Sequence, residues 1–163
     1  MQVEKIRETT ELAGLADHLV SLNLSVEIND ESDGMPATTI LVHCTLTNGV
    51  QQIISISYLP EEEGDFEQIK LLQLHTHLPI EFEPDSETVA DLTAHLMASN
   101  DHLLFGQMGI SYDQSKISYR YVYAQPRSGM LNHIILQEIF FIFLFTVEEF
   151  TTLIKAYLES DEK

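Results

Sequence analysis

Tryptophan is absent from this chain, cysteine occurs once, and basic residues are scarce. Each shortage removes a class of answer. With Cys44 alone, no intrachain disulfide is possible, and a reducing compartment fits. Eight Lys and Arg stand against 26 Asp and Glu, a formal charge of −18. Such a surface repels nucleic-acid phosphates and anionic membranes, so neither is expected as a partner. It favours basic partners, metal cations or simple solubility. The longest uncharged apolar run, residues 139–147, is far shorter than the ~20 residues of a membrane-spanning helix. Residues 1–14 hold no apolar core of signal-peptide type, so a soluble, cytoplasmic protein is expected. The seven glycines are scattered, and none opens a helix after a strand in a phosphate-loop or dinucleotide pattern.

What remains is an ordinary globular composition. An apolar fraction of 44% over 163 residues predicts one domain, 1–163, long enough for a proper core. The chain is organised around its most apolar stretch, residues 131–158. Leu131, Ile134, Ile135, Ile139, Ile142, Phe143, Phe150, Leu153, Ile154, Tyr157 and Leu158 recur mostly at helical spacing. Thr146-Val147-Glu148-Glu149 competes with that reading. It has the form of a capping box, with Phe145 and Phe150 placed as its hydrophobic staple. Residues 140–145 would then be a bend or a short buried strand. The stripe favours helix throughout, with a kink near Thr146 as the interruption the cap signal allows.

Residues 3–22 predict an amphipathic helix with Ile6, Leu12, Leu15, Ala16, Leu19 and Leu22 inward; Thr9 or Thr10 offers a later start, and Asn23 a stop. Strands are predicted at 24–28, 39–46, 50–59 and 68–78 from their alternation. Asn48-Gly49 gives a hairpin turn, because both residues tolerate positive φ. Residues 60–65 predict an acidic loop. A second helix is predicted at 86–99, capped by Asp85 or Ser86, with Val89, Leu92, Leu96 and Met97 as its stripe. Two more strands, 103–110 and 116–124, flank a turn at 112–115. The order α-β-β-β-β-α-β-β-α, with strands in runs, predicts an α+β fold. Its five- or six-stranded antiparallel sheet would have helices mainly on one face.

Few residues carry a chemical signal. His75 and His77, two apart on a strand, point the same way, as a metal pair requires. His43, Cys44, Glu81 or Asp101 would have to supply a third ligand; otherwise both histidines simply line a polar face. Cys44 lies among Ile40, Val42 and Leu46 and reads as a small buried hydrophobe, not a nucleophile. Ser55 and Ser57 lack a glycine elbow. Glu61, Glu62, Glu63 and Asp65 lack the spacing of a calcium loop. Tyr119, Arg120, Tyr121, Tyr123 and Arg127 gather aromatics and cations at and beyond one strand, a composition found in binding surfaces and on ordinary edge strands alike. They are the candidate partner contacts. No cofactor is expected.

The stretches LQLHTHLPIEF (72–82), ISYRYVYAQP (117–126) and IFFIFLFTVEEFTTLI (139–154), with the order of elements, resemble the YbjN-like family, in particular a cyanobacterial branch. The likeness runs from about residue 10 to residue 158. It implies the fold of class I type III secretion chaperones and a non-enzymatic, chaperone-like or sensory-transduction regulatory role. It implies no catalytic residues, a protein or peptide partner, and a homodimer. The wide apolar girth of the last segment independently favours self-association, through the sheet face or the outer side of residues 134–145. The reading from a different class is a metal-binding protein or metal-dependent hydrolase centred on His75 and His77.

Overall fold

The computed structural model describes residues 2–30, 37–60, 66–82, 87–111 and 115–161. The acidic residues 61–65, the helix cap at Asp85 or Ser86 and the turn residues 112–114 lie outside them.

Helix α1 (Gln2–Ser21) runs without the later start that Thr9 and Thr10 offered. Thr10 instead donates its hydroxyl to the Ile6 carbonyl at 2.8 Å, within the helix. Asn23 ends it as expected, in the left-handed region at φ 64°. The N–H of Leu24 returns to the Leu19 carbonyl at 3.3 Å, so the helix end satisfies its own acceptors.

Six strands follow the expected order: β1 (Ser25–Asn29), β2 (Thr39–Thr45), β3 (Gln51–Tyr58), β4 (Ile69–His77), then after helix α2 (Glu87–Asn100), β5 (Gln107–Ser111) and β6 (Lys116–Pro126). Every pairing is antiparallel, in the spatial order β1-β2-β3-β4-β6-β5. Gly49, at φ 81°, makes the β2–β3 turn, and its N–H bonds the Leu46 carbonyl at 2.8 Å. Strand β5 is shorter than expected. Gly106 turns the chain at φ 70°, and a Cβ there would lie 2.5 Å from the Arg120 carbonyl oxygen. Asn100 fixes the far side of this turn by bonding both the N–H (2.8 Å) and the carbonyl (3.0 Å) of Met108.

Helix α3 (His133–Asp161) is unbroken. Its start is capped by Asn132, whose Oδ1 accepts from the N–H groups of Ile134 and Ile135 at 3.1 Å. Thr146 is interior, donating to the Ile142 carbonyl at 2.8 Å. Glu148 reaches across to the Thr47 N–H instead of back to a cap.

All three helices pack on one sheet face. Leu12, Leu15 and Leu19 of α1, Leu92 and Leu96 of α2, and Phe140, Phe143 and Val147 of α3 close over Ile40, Val42, Ile54, Ile56, Leu72, Leu74 and Tyr119. The inward line of α3 is Leu136, Phe140, Phe143, Val147, Thr151 and Ile154. Ile134, Ile135, Ile142 and Leu153, expected inward, point to solvent. A helix apolar round most of its girth has several lines at helical spacing, and periodicity does not say which the sheet will take. Ile6 and Met97 are likewise outside. Among the described residues no helix is long and apolar enough to cross a membrane.

Candidate functional site

Side chains alternate along each strand, so the residues between the buried ones form the opposite face of the sheet. No helix residue of the buried core belongs to that face. Register lays out its central row across all six strands: Glu27, Leu41, Ser55, His75, Arg120 and Gln107. A neighbouring row is Asn29, Thr39, Ser57, Gln73 and Val122. The face is unusual for this chain in one respect. Among the described residues, Glu27 is the one acid in any of the six strands.

His75 and His77 sit here side by side, with ring centroids 4.9 Å apart and planes at 88°. Burial pushes the His75 pKa below the ordinary value, and neighbouring His77 and Arg120 push it further; burial and Lys116 do the same for His77. Both are therefore neutral near pH 7, and the Nδ1 of His77 is buried without a partner. A recess of about 280 Å³ lies against them, lined also by Gln52, Ile53, Ser55 and Thr76. Neutral imidazoles suit a metal, but two ligands do not hold one. No group of three histidine, cysteine or carboxylate side chains placed to hold a metal exists among the described residues. His43 instead approaches Glu27 at 3.6 Å, and Cys44 is buried.

The five candidate partner contacts do not share a surface. Tyr119 is 1% exposed, stacks on Phe143 at 4.6 Å between ring centroids, and donates its hydroxyl to the Phe105 carbonyl at 2.6 Å. Burial raises its pKa. Tyr121 and Tyr123 are half-buried on the same covered face, Tyr121 meeting Phe105 edge-on at 5.6 Å. Arg120 stands on the opposite, open face, with Gln107 Oε1 at 3.4 Å. Arg127 lies beyond β6, donating to the Phe66 carbonyl at 2.9 Å and pairing with Glu4 of α1. Tyr119 is thus a core residue under α3, and Tyr121 and Tyr123 pack partly buried against the core. The strand is interior, not an edge.

Sequence reasoning missed a buried ionic cluster. Lys70 Nζ lies 2.6 Å from Glu11 Oε2, and the Tyr58 hydroxyl donates to the same oxygen at 2.6 Å. Arg7 Nε holds the other carboxylate oxygen at 3.1 Å. The Arg7 guanidinium also donates to the Arg127 carbonyl at 2.6 Å and to that of Gly129. Burial alone would raise the Glu11 pKa, but the bonds from Lys70, Tyr58 and Arg7 outweigh it and bring it below the ordinary value. Burial, then Glu11, drives the Tyr58 pKa up. The alternation of β4 held the signal, since Lys70 shares its face with Leu72 and Leu74. The cluster fastens α1 to the sheet and to the β6–α3 turn. The recess beside Tyr58 is only about 30 Å³, too small for a substrate.

Ile134, Ile135, Phe141, Ile142 and Phe145 form an exposed line on the outer side of α3, with Ile134 at 69% and Phe145 at 63%. Near its other end an apolar groove of about 240 Å³ runs between α2 and α3, lined by Leu92, Leu96, Phe150, Leu153 and Tyr157.

Compared with known families and with curated proteins, the chain matches no family model and no curated sequence.

Proposed function

We propose that this protein is a non-enzymatic protein-binding module, chaperone-like or regulatory, as its resemblance to the YbjN-like family and the type III secretion chaperone fold implies. The observation that carries the reading is the exposed apolar line on α3. Monomeric proteins rarely expose a contiguous apolar patch beyond a few hundred Å², and larger ones mark contact surfaces. Five large side chains in about three turns, interrupted by exposed Glu138, with the α2–α3 groove beyond them, offer a partner helix or peptide the i, i+3, i+4, i+7 anchors of groove recognition. The two polar clusters support no reaction: His75 and His77 have no third ligand among the described residues, and the Glu11–Lys70–Tyr58 cluster is closed.

The test is capture by the untagged protein from its native cell, compared with Phe145→Asp. Phe145 is mostly exposed, so the variant should fold normally by circular dichroism and lose the captured partner. A wild-type protein that recovers no partner, or a variant that recovers the same one, contradicts the reading.

A further inference from the structure

We infer that the open face of the sheet is the interface of a homodimer, packed face to face about a two-fold axis that lies along β3 and passes by Ser55. The inference rests on the homodimer that the resemblance behind the proposed function implies, and leaves the outer line of α3 free for the partner.

The argument begins with charge. A chain of net charge −18 opposes its own pairing, and the opposition is least where acids are absent. On the open face the strands carry only Glu27, Arg120 and Lys116 as permanent charges. Glu27 and Arg120 occupy one cross-strand row, Glu27-Leu41-Ser55-His75-Arg120-Gln107. In the strand order β1-β2-β3-β4-β6-β5 each lies two strands from β3, on opposite sides. Strands are about 4.8 Å apart, so each charge stands about 10 Å from Ser55. A two-fold axis parallel to β3 sends each side of the row onto the other. Glu27 of one copy then faces Arg120 of the second, twice. A two-fold axis across the strands would set Glu27 against Glu27 and Arg120 against Arg120. The charges therefore select both the face and the axis.

The remaining contacts agree. Leu41 falls opposite His75, which is neutral near pH 7, and Ser55 falls opposite itself. Ile53, Leu71, Val122 and Ala124 supply apolar contact around the row. Glu27 already has His43 at 3.6 Å and Arg120 has Gln107 at 3.4 Å, contacts that orient both side chains. Twisted sheets splay at their corners, and two long side chains suit the widening gap. Lys116 falls at the rim. Five overlapping strands span about 20 Å, so two copies cover on the order of 1,000 Å², the lower limit of a specific interface. The dimer should accordingly be concentration-dependent.

Sedimentation velocity from low to high micromolar concentration tests this with four proteins: wild type, Glu27→Arg, Arg120→Glu and the double exchange. Both sites are exposed, and circular dichroism checks the fold of each. The expected result is a wild-type dimer, at least about tenfold weaker association in each single variant, where repulsion replaces attraction at two places, and recovery in the double exchange. In parallel, Ser55→Cys should be joined across the dimer by a short bis-maleimide, while buried Cys44 stays silent. A wild-type dimer unchanged by either single variant, or one dissociated by Phe145→Asp instead, overturns this interface and leaves the homodimer standing. A wild type monomeric throughout overturns both, while partner capture through Phe145 remains a separate question.

Discussion

Lys70 and Glu11 show how much a single buried pair constrains this molecule. Both are almost fully covered, and removing one leaves the other charged in a poor solvent, a loss of about 3 kcal/mol for pairs of this kind. Lys70→Met should lower stability by that order in urea unfolding, and Glu11→Gln somewhat less, since the amide still bonds Tyr58. Combining Glu11→Leu with Lys70→Met should cost less than the two single changes summed, because no charge is stranded. The pH dependence has a definite sign. The folded Glu11 pKa lies below the ordinary 4.5, so its contribution is fully present above that value and is lost as pH falls through the folded one. Cys44 is the second test at this scale. Burial pushes its thiol up to about 11, so iodoacetamide at pH 8 should leave it unmodified in the native protein and label it on unfolding.

Helix α3 and strand β6 are the elements on which the candidate site turns, and they were legible to different depths. The existence and order of the elements could be read because alternation and helical spacing are strong over long segments. Which line of α3 faces the sheet could not, because Phe140, Phe141, Phe143 and Phe145 are chemically alike and only the opposing surface chooses among them. The choice is measurable. Phe143→Ala should cost about 3–5 kcal/mol, and Phe145→Ala less than about 0.5 kcal/mol. Tyr119 misled for a related reason: Tyr and Arg enrichment marks a contact surface only where the strand's aromatic side is uncovered. Interior placement of β6 between β4 and β5 arises from long-range pairing that no local pattern encodes. Gly106 was unremarked in the sequence, yet Gly106→Ala should destabilise by several kcal/mol. The added Cβ meets backbone, and φ is positive. Thermal unfolding checks it.

At the scale of the whole molecule the asymmetry of charge organises everything else. Among the described residues the acids keep out of the strands but for Glu27, helices cover one face, and the strands of the other carry almost no like charge. Acid should undo that arrangement. His75 and His77 titrate below the usual 6.5, held neutral mainly by burial, with His77 and Arg120 adding to it at His75 and Lys116 at His77. The stability they allow is full above 6.5 and falls as pH drops through their folded values, when protonation adds cations beside Arg120.

The most direct measurement is the mass of the native protein by light scattering, followed at pH 7.5 as concentration rises through the micromolar range. The expected result is a rise toward twice the 18.5 kDa of one chain. A mass fixed at 18.5 kDa at every concentration would contradict the central claim that the acid-free sheet face pairs with its own copy.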